Sequence, residues 1–241
     1  MIVTRTKDEE SFYRSTAMRI AETIRNHPCA KIGLSTGRTT KGVHRALVEL
    51  YQEAPFDCTG IRIFAIDEVT GMSRSCPASC YAILLNEVIR PLGIPMEHFI
   101  MPDASAPDLE AECRRFEREV MGGEGPELII LGLGENGHLG FNQPGTPFGA
   151  VTHVSYMDDS LDARLRKENN IAPDVKMGGL TLGTRNLMQS RRLVMAANGT
   201  NKAEMVKKIL SGVVTEEVPS SVLQLHPNCE LILDPLAAQM V

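Results

Sequence analysis

The segment from residue 128 to residue 143 combines an apolar run with glycines and with side chains suited to acid–base chemistry. The apolar residues 128–131 predict a buried strand. The glycines that follow allow a tight turn beside a ligand: Gly132, Gly134 and Gly137. His138 can act as an acid or a base near neutral pH, and Asn142 and Gln143 can bind hydroxyl groups or orient the imidazole. Because ligands of open α/β sheets bind at the carboxyl ends of strands, this position favours a functional His138 over a structural one.

Two adjacent carboxylates, Asp67 and Glu68, directly follow a second apolar run at residues 61–66. A partly buried carboxylate at a strand end can have a pKa that suits a general base. The alternative is that one carboxylate caps a helix while the other faces water. The position after a predicted strand favours the catalytic interpretation, and both residues are candidates.

A third cluster, with the sequence STGRTT at residues 35–40, lies between a short predicted strand at 31–34 and a helix. Hydroxyl groups and the amides of a helix N-terminus bind phosphate. The cluster lacks the Gly-Lys-Ser/Thr ending of a Walker loop, and an ordinary turn with an N-cap threonine explains it equally well. Its candidate phosphate ligands are Ser35, Thr36, Gly37, Arg38 and Thr39.

The fourth cluster is Asn201-Lys202, between an apolar strand at 192–197 and a helix at 202–210. A lysine at this point can pair with a phosphate as a point charge. Taken alone, Lys202 is also consistent with an ordinary solvated helix. The hypothesis that it binds phosphate therefore depends on its position after a strand.

The elements that must position these clusters alternate between strand and helix along the chain. Further strands are predicted at residues 1–4, 98–101, 151–155 and 230–233, and helices at 8–26, 43–53, 80–88, 109–120 and 158–167. The helix at 80–88 should stop before Pro91. The alternation predicts an α/β fold, doubly wound and Rossmann-like, with a mostly parallel sheet and helices on both faces. No linker is recognisable, so residues 1–241 are expected to form a single domain.

Composition excludes several classes of protein. Of 241 residues, 43% are apolar, which is enough for a full core, and the net charge of −5 argues against nucleic acid as the main partner. No apolar run is long enough to span a membrane, and no signal core is present, which predicts a cytoplasmic protein without a membrane partner. The six cysteines are expected to be reduced thiols; Cys76 and Cys80 have too few neighbouring ligands to predict a metal site.

Six motifs resemble those of the glucosamine-6-phosphate deaminases: LSTGRTT, FAIDEVTGM, GLGENGHLGFNQPG, LTLGTRNLM, NGTNKAE and SVLQLHPN. They occur in the family's order from Leu34 to Asn228, and so cover nearly the whole chain. The resemblance implies a fold of the sugar-phosphate isomerase type. It also implies conversion of glucosamine 6-phosphate to fructose 6-phosphate and ammonia, by aldose–ketose isomerisation and deamination, with neither a metal nor an organic cofactor.

By this resemblance Asp67 is the general base that moves a proton between C2 and C1, and His138 assists opening of the sugar ring. Asn136 lies where the family carries Asp or Asn beside that histidine, and Gly137 is expected to contact the substrate. Thr36, Gly37 and Thr39 match the phosphate loop, and Lys202 matches the phosphate-binding lysine. An arginine after Val151 is also expected to reach the phosphate; Arg166 fits the spacing best, and Arg164 is its competitor.

The chain departs from the family pattern at two positions. Arg38 stands where the phosphate loop usually has Gly or Ser, and Gln143 stands where the family has a Glu that pairs with the histidine. Gln143 can accept a hydrogen bond from the imidazole, but it cannot stabilise an imidazolium as a carboxylate does. Weaker ring opening is therefore expected, without loss of the fold.

Three other functions remain open from the sequence. Galactosamine 6-phosphate differs from the leading substrate only at the C4 hydroxyl, and lactone hydrolysis of the 6-phosphogluconolactonase kind uses the same scaffold. A sugar-phosphate-binding regulator without catalysis is the alternative from another class. The FN-x-P and LQLHP segments resemble the deaminases rather than the lactonases. The choice between monomer and homo-oligomer is open, as is the choice between a lid and a plain surface connection for residues 73–80.

Overall fold

The computed structural model describes residues 1–157, 159–169 and 171–241. Within them the strands are β1 (Ile2–Arg5), β2 (Lys31–Leu34), β3 (Arg62–Ala65), β4 (Asp67–Thr70), β5 (Phe99–Ile100), β6 (Leu128–Gly132), β7 (His153–Tyr156), β8 (Gly178–Thr181), β9 (Arg192–Ala197) and β10 (Cys229–Leu233). Seven of them form one sheet in the order β1-β10-β9-β6-β2-β3-β5, and all neighbours are parallel. The predicted α/β fold with a mostly parallel sheet is confirmed.

The α-helices of the described residues are α1 (Glu9–Asn26), α2 (Arg38–Glu53), α3 (Cys80–Leu84), α4 (Arg90–Leu92), α5 (Leu109–Met121), α6 (Asp159–Asn169), α7 (Thr184–Met188) and α8 (Ala203–Leu210). Polar caps determine where several begin; Asp8 accepts a 2.7 Å hydrogen bond from the Ser11 amide at the start of α1. The helix predicted at 158–167 began at Asp158, which lies outside the described residues. None of the described helices is both long enough and apolar enough to cross a membrane.

Both faces of the large sheet are buried, as the continuous apolar runs predicted. Successive side chains of β6 alternate between two cores: Leu128 and Ile130 pack with α1 to α4, while Ile129 and Leu131 pack with α5, α7 and α8. A parallel strand covered by helices on both sides has no solvent-exposed face, so it needs no polar alternation. This burial holds the strand ends, and the loops that follow them, in fixed positions.

The predicted stop before Pro91 is wrong. α3 continues through one π-helical turn, Leu85–Ile89, into α4, and Pro91 lies within that last turn. A π turn widens the helix and changes the hydrogen-bond pattern from i−4 to i−5, so the missing N–H of a proline is tolerated close behind it. Gly93, with φ of 65°, ends the helix.

A second sheet, with the order β4-β8-β7, is antiparallel and was not predicted. β4 begins at Asp67, only two residues after β3 ends, so the chain passes directly from the large sheet into the small one. A separate apolar cluster that includes Val69, Met72 and Phe141 packs with Leu165 of α6. The two carboxylates therefore lie at the junction of two sheets rather than in a loop.

Candidate active site

Four adjacent strands of the large sheet, β9, β6, β2 and β3, carry the four polar clusters at their carboxyl ends. Since these strands are parallel, the clusters share one edge of the sheet. Hydrogen bonds join them: the Gly132 amide donates to Ser35 Oγ at 3.1 Å, and Thr39 Oγ1 donates to Asn198 Oδ1 at 2.6 Å. The hydrogen bond between Thr39 and Asn198 thus brings together segments that are 159 residues apart in the sequence.

Asp67 is buried, with only 8% of its surface exposed. Burial and, after it, the neighbouring charge of Glu68 raise the pKa of its carboxyl group to about 7, and a hydrogen bond from Cys80 opposes the rise. A carboxyl group with a pKa near neutrality can both accept and return a proton at physiological pH. This is the property required of a base that moves a proton between two carbons.

Glu68 is bound on three sides by backbone amides. Its carboxylate accepts hydrogen bonds from the amides of Val69, Cys80 and Tyr81, at 2.8–2.9 Å, so it caps the N-terminus of α3. Burial raises the pKa of Glu68, and these bonds oppose the rise. The geometry is that of the helix-capping alternative, and it favours a positioning role for Glu68 over proton transfer.

His138 is held by a side chain two residues before it. Its backbone amide donates to Asn136 Oδ1 at 3.1 Å, and its ring Nδ1 lies 2.7 Å from the same oxygen. Asn136 Nδ2 in turn donates to Gln143 Oε1 at 3.1 Å. The expected hydrogen bond from the imidazole to Gln143 is therefore replaced by a path through Asn136, which separates residue 143 from the ring by one side chain.

Two glycines permit the close approaches that form this site. A side chain at Gly134 would overlap the His138 ring, because its Cβ would lie 2.5 Å from ring atoms. Gly140 has φ of +58°, and a Cβ there would lie 3.0 Å from Asp67 Oδ2 and 2.8 Å from Thr181 Oγ1. Glycine at position 140 thus allows the turn that follows His138 to lie against the buried carboxylate.

The phosphate-loop candidates surround the start of α2, whose N-cap is Gly37. Arg38 and Gly37 are exposed there, while Ser35 is buried and accepts from the Gly132 amide as described. Thr36 Oγ1 donates to Cys80 Sγ at 3.1 Å, which turns this side chain towards α3. The free amides at the N-terminus of α2 can still receive an anion.

Lys202 lies beside this loop, with its side chain 12% exposed and its Nζ 4.0 Å from Glu135 Oε1. Burial lowers the pKa of Lys202, the carboxylate of Glu135 raises it, and the charge of Arg38 lowers it. Because the charge of Arg38 acts on Lys202, these two cations lie near each other beside the start of α2, which suits a dianionic ligand. Gly137 packs close by, against Met205 and Ser220.

Arg166 is engaged within its own region. Its guanidinium pairs with Asp162 at 2.6 Å and donates to the carbonyls of Ala172 and Val175. A contact between Arg166 and a phosphate would require these bonds to break, so that role stays a prediction. The side chain of its competitor, Arg164, lies outside the described part of the structure.

Asn142 and Cys80 differ from their expected positions. Asn142 is buried and donates to the carbonyls of Leu139 and Leu182, so it fastens the turn to the residue that follows β8 rather than facing a ligand. Cys80 was considered only with Cys76, yet its sulfur lies 3.7 Å from Asp67 Oδ1. Ser79 is a recognisable N-cap, but no sequence signal shows which residue the helix start will face.

Among the described residues, no group of three or more His, Cys, Asp or Glu side chains is arranged to hold a metal ion.

Comparisons with known proteins agree with this geometry. The family model described as glucosamine-6-phosphate isomerases/6-phosphogluconolactonase matches residues 6–231. The glucosamine-6-phosphate deaminase of Thermoanaerobacter pseudethanolicus is 32% identical over 98% of this chain and 93% of its own length. Glucosamine-6-phosphate deaminase 1 of Bacillus subtilis is 34% identical over 96% of both chains.

Solved structures share this fold at different levels of sequence identity. A structure described as a monomeric glucosamine-6-phosphate deaminase superposes with a TM-score of 0.95 at 32% identity, covering all of both chains. The 6-phosphogluconolactonase of Trypanosoma cruzi has a TM-score of 0.79 at 18% identity, covering 99% of this chain and 96% of its own; that likeness concerns the fold alone. The buried carboxylate, the histidine turn and the matches over the full chain lead to one conclusion: the chain belongs to the glucosamine-6-phosphate deaminase family.

Proposed function

We propose that the protein converts glucosamine 6-phosphate and water to fructose 6-phosphate and ammonia. The observation that carries the proposal is Asp67, a buried carboxyl group with a pKa raised to about 7, in contact with the turn that bears His138. Isomerisation requires one base that removes a proton from C2 and returns it to C1. A carboxyl group that is half ionised near neutral pH suits both steps.

Binding of the phosphate is assigned to the N-terminus of α2, Arg38 and Lys202. The phosphate lies far from the reacting carbons, so its binding energy can hold C1 and C2 near the base. Two cations and the helix amides explain how a protein of net charge −5 attracts a dianion. A cytosolic location remains a prediction.

Ring opening is assigned to His138. The C2 hydrogen becomes acidic only in the open-chain aldehyde, so a proton must move from the C1 hydroxyl to the ring oxygen first. Asn136 accepts from the His138 backbone amide and lies against ring Nδ1, and it thereby orients the imidazole for this transfer. Gln143 supports Asn136 without adding a negative charge.

Proton transfer and deamination follow. Asp67 removes the C2 proton, the electrons of that C–H bond form the C1–C2 double bond of an enolamine, and the aldehyde oxygen takes a proton from the solvent, which regains one when ammonia leaves. Asp67 then returns its proton to C1, which leaves an iminium at C2. Water adds to C2 and the C–N bond breaks, so that the ketone forms and ammonia leaves with its electron pair.

Ammonia release tests the proposal. The protein is incubated separately with glucosamine 6-phosphate and with galactosamine 6-phosphate, and ammonia and ketose 6-phosphate are measured. Ammonia from the gluco substrate supports the proposal, and ammonia from the galacto substrate alone reassigns the C4 specificity. If the protein binds either sugar phosphate but releases ammonia from neither, the proposal is wrong and a binding role replaces it.

A further inference from the structure

We propose that Cys80 is a positioning residue that connects the phosphate loop to the general base. Its sulfur accepts a hydrogen bond from Thr36 Oγ1 at 3.1 Å, and its S–H group donates to Asp67 Oδ1 across 3.7 Å. The inference rests on the proposed function, because it assigns these two neighbours to phosphate binding and proton transfer. It adds a residue that neither the motifs nor the comparisons assign to the site.

A backbone hydrogen bond fixes the residue that carries this sulfur. The Cys80 amide donates to Glu68 Oε1 at 2.9 Å, so the first residue of α3 is fastened to the residue that follows Asp67 in β4. Cys80 itself is only 4% exposed. The thiol therefore has a single environment, between the carboxylate and the loop.

The directions of the two hydrogen bonds are consistent with each other. Burial, followed by the charges of Asp67 and Glu68, raises the pKa of Cys80 well above its ordinary value, so the thiol keeps its proton. A protonated thiol is a weak donor through its hydrogen and a weak acceptor through sulfur. The Thr36 hydroxyl donates to sulfur, and the S–H donates to the carboxylate, so both polar neighbours are satisfied.

The consequence for the reaction concerns the ionised form of the base. A donor directed at the carboxylate stabilises the anion, and this contact opposes the rise that burial and Glu68 cause in the pKa of Asp67. Among the described residues, the titratable groups that act on the pKa of Asp67 are Glu68 from its own strand and Cys80 from α3; Thr181 and Gly140, which also lie against the carboxylate, are uncharged. Removing the thiol should therefore leave more of the base protonated at a given pH.

The test is the pH dependence of kcat/KM on glucosamine 6-phosphate for the full chain. The acid limb is the part of this pH profile in which kcat/KM falls as the pH is lowered. For Cys80→Ala we expect the midpoint of the acid limb to move to higher pH by about half to one unit, since one net hydrogen bond to the carboxylate is lost. Relative to the wild type, kcat/KM of the variant should then fall about 3- to 10-fold more at pH 6 than at pH 9. Cys80→Ser, which keeps a donor and an acceptor, should restore the limb.

The matched control is Cys58→Ala. Cys58 is equally buried, at 4%, and belongs to the same apolar cluster as Cys80. It should lower stability without moving the limb, because its thiol contacts the Phe56 carbonyl instead of Asp67. A limb that is unchanged in Cys80→Ala, or that moves equally in Cys58→Ala, overturns the inference.

The contribution of Thr36 is tested by a double-mutant cycle. Thr36→Val should move the limb in the same direction, and the double variant Thr36→Val/Cys80→Ala should move it no further than Cys80→Ala alone. Additive shifts would mean that Thr36 does not act through the sulfur, and would refute the connection between the loop and the base.

Two measurements distinguish a failure of the proposed function from a failure of this inference. One is ammonia release by the wild-type protein, and the other is a stability measurement that needs no substrate. If the wild type releases no ammonia, the proposed function fails, and the pH dependence of unfolding decides the inference instead. Between pH 5 and pH 8, where a thiol stays protonated in the folded and the unfolded chain, Cys80→Ala should make stability fall more steeply as the pH rises, and in the Asp67→Asn background the same substitution should have an effect that does not vary with pH over this range. An effect of Cys80→Ala that varies equally with pH in both backgrounds counts against it.

Discussion

Replacing the buried base should make the protein more stable at neutral and alkaline pH while it removes catalysis. The folded state keeps a proton on Asp67 up to about pH 7, whereas an unfolded chain releases it near 3.8. Stability is therefore highest below pH 3.8 with respect to this group, and it is lost as the pH rises through 7. Asp67→Asn replaces the carboxyl group with an uncharged side chain of the same shape, so this loss disappears.

The size of the effect follows from the pKa. A rise from 3.8 to about 7 corresponds to a loss of about 4 kcal/mol in the free energy of unfolding once the pH exceeds 7. Between pH 5 and pH 8 the variant should gain about 2–3 kcal/mol relative to the wild type. That is a large fraction of the total stability of a single domain, which is typically about 5–15 kcal/mol.

The assay is urea unfolding of wild type and Asp67→Asn at several values between pH 5 and pH 8. Asp8→Asn is the control, because Asp8 is exposed and the Ser11 hydrogen bonds lower its pKa, so it stays ionised throughout this range. Its stability difference from the wild type should be constant. If the Asp67→Asn curve also runs parallel to the wild type, Asp67 is ionised in the folded protein at pH 5, and it does not have the pKa on which the proposed proton transfer depends.

Three further substitutions examine other parts of the molecule. Lys202→Met should raise KM about 10- to 100-fold with little change in kcat, because charged hydrogen bonds to the phosphate are lost; an unchanged KM in steady-state assays would remove Lys202 from the site. Gln143→Glu should raise turnover several-fold and move its pH profile, since a carboxylate two contacts from His138 stabilises the imidazolium; identical profiles would contradict the weaker ring opening expected here. Glu230→Gln should lower the free energy of unfolding at pH 7 by about 2–3 kcal/mol, because the Arg19 hydrogen bond is the main cause that lowers the pKa of Glu230 to about 2. That difference should shrink as the pH falls from 4.5 towards 2, and a constant difference would show that the ion pair is not its source.

The burial that raises the pKa of Asp67 depends on its position at the junction of the two sheets. A carboxyl group in a loop would be hydrated and would ionise near pH 4. β3 and β4 are separated by one residue, Ile66, whose amide still donates to the Leu34 carbonyl of the large sheet, and Asp67 then begins the small sheet. Glu68, the next residue, then fastens α3 over it through the amides of Cys80 and Tyr81.

The fold and the position of the four clusters could be predicted because the signals are local. The continuous apolar run at 128–131 can only be a strand buried on both sides, and the polar residues that follow it must lie at the sheet edge. The same reasoning placed Asp67, the start of α2 and Lys202 at one edge. Helix caps and strand runs are determined by a few neighbouring residues, which is why their bounds differ by only a few positions.

The small sheet could not be predicted, because its stability comes from residues far apart in the chain. The strand β4 has the sequence DEVT, which shows no apolar run, and its partner β8 begins at Gly178, more than 100 residues later. The pairing of β4 with β8 depends on packing with Phe141 and α6. The local sequence of β4 gives no signal of that contact.

Residue types alone thus determined which groups can react: a carboxylate, an imidazole, a lysine and a glycine-rich turn. Tertiary structure alone decided their chemical states and contacts. It buried Asp67 and so raised its pKa, it placed Asn136 between His138 and Gln143, and it directed the thiol of Cys80 at the base. The physical reason is that a pKa and a hydrogen bond depend on the surrounding atoms from several elements, whereas strand and helix signals depend on neighbours in sequence.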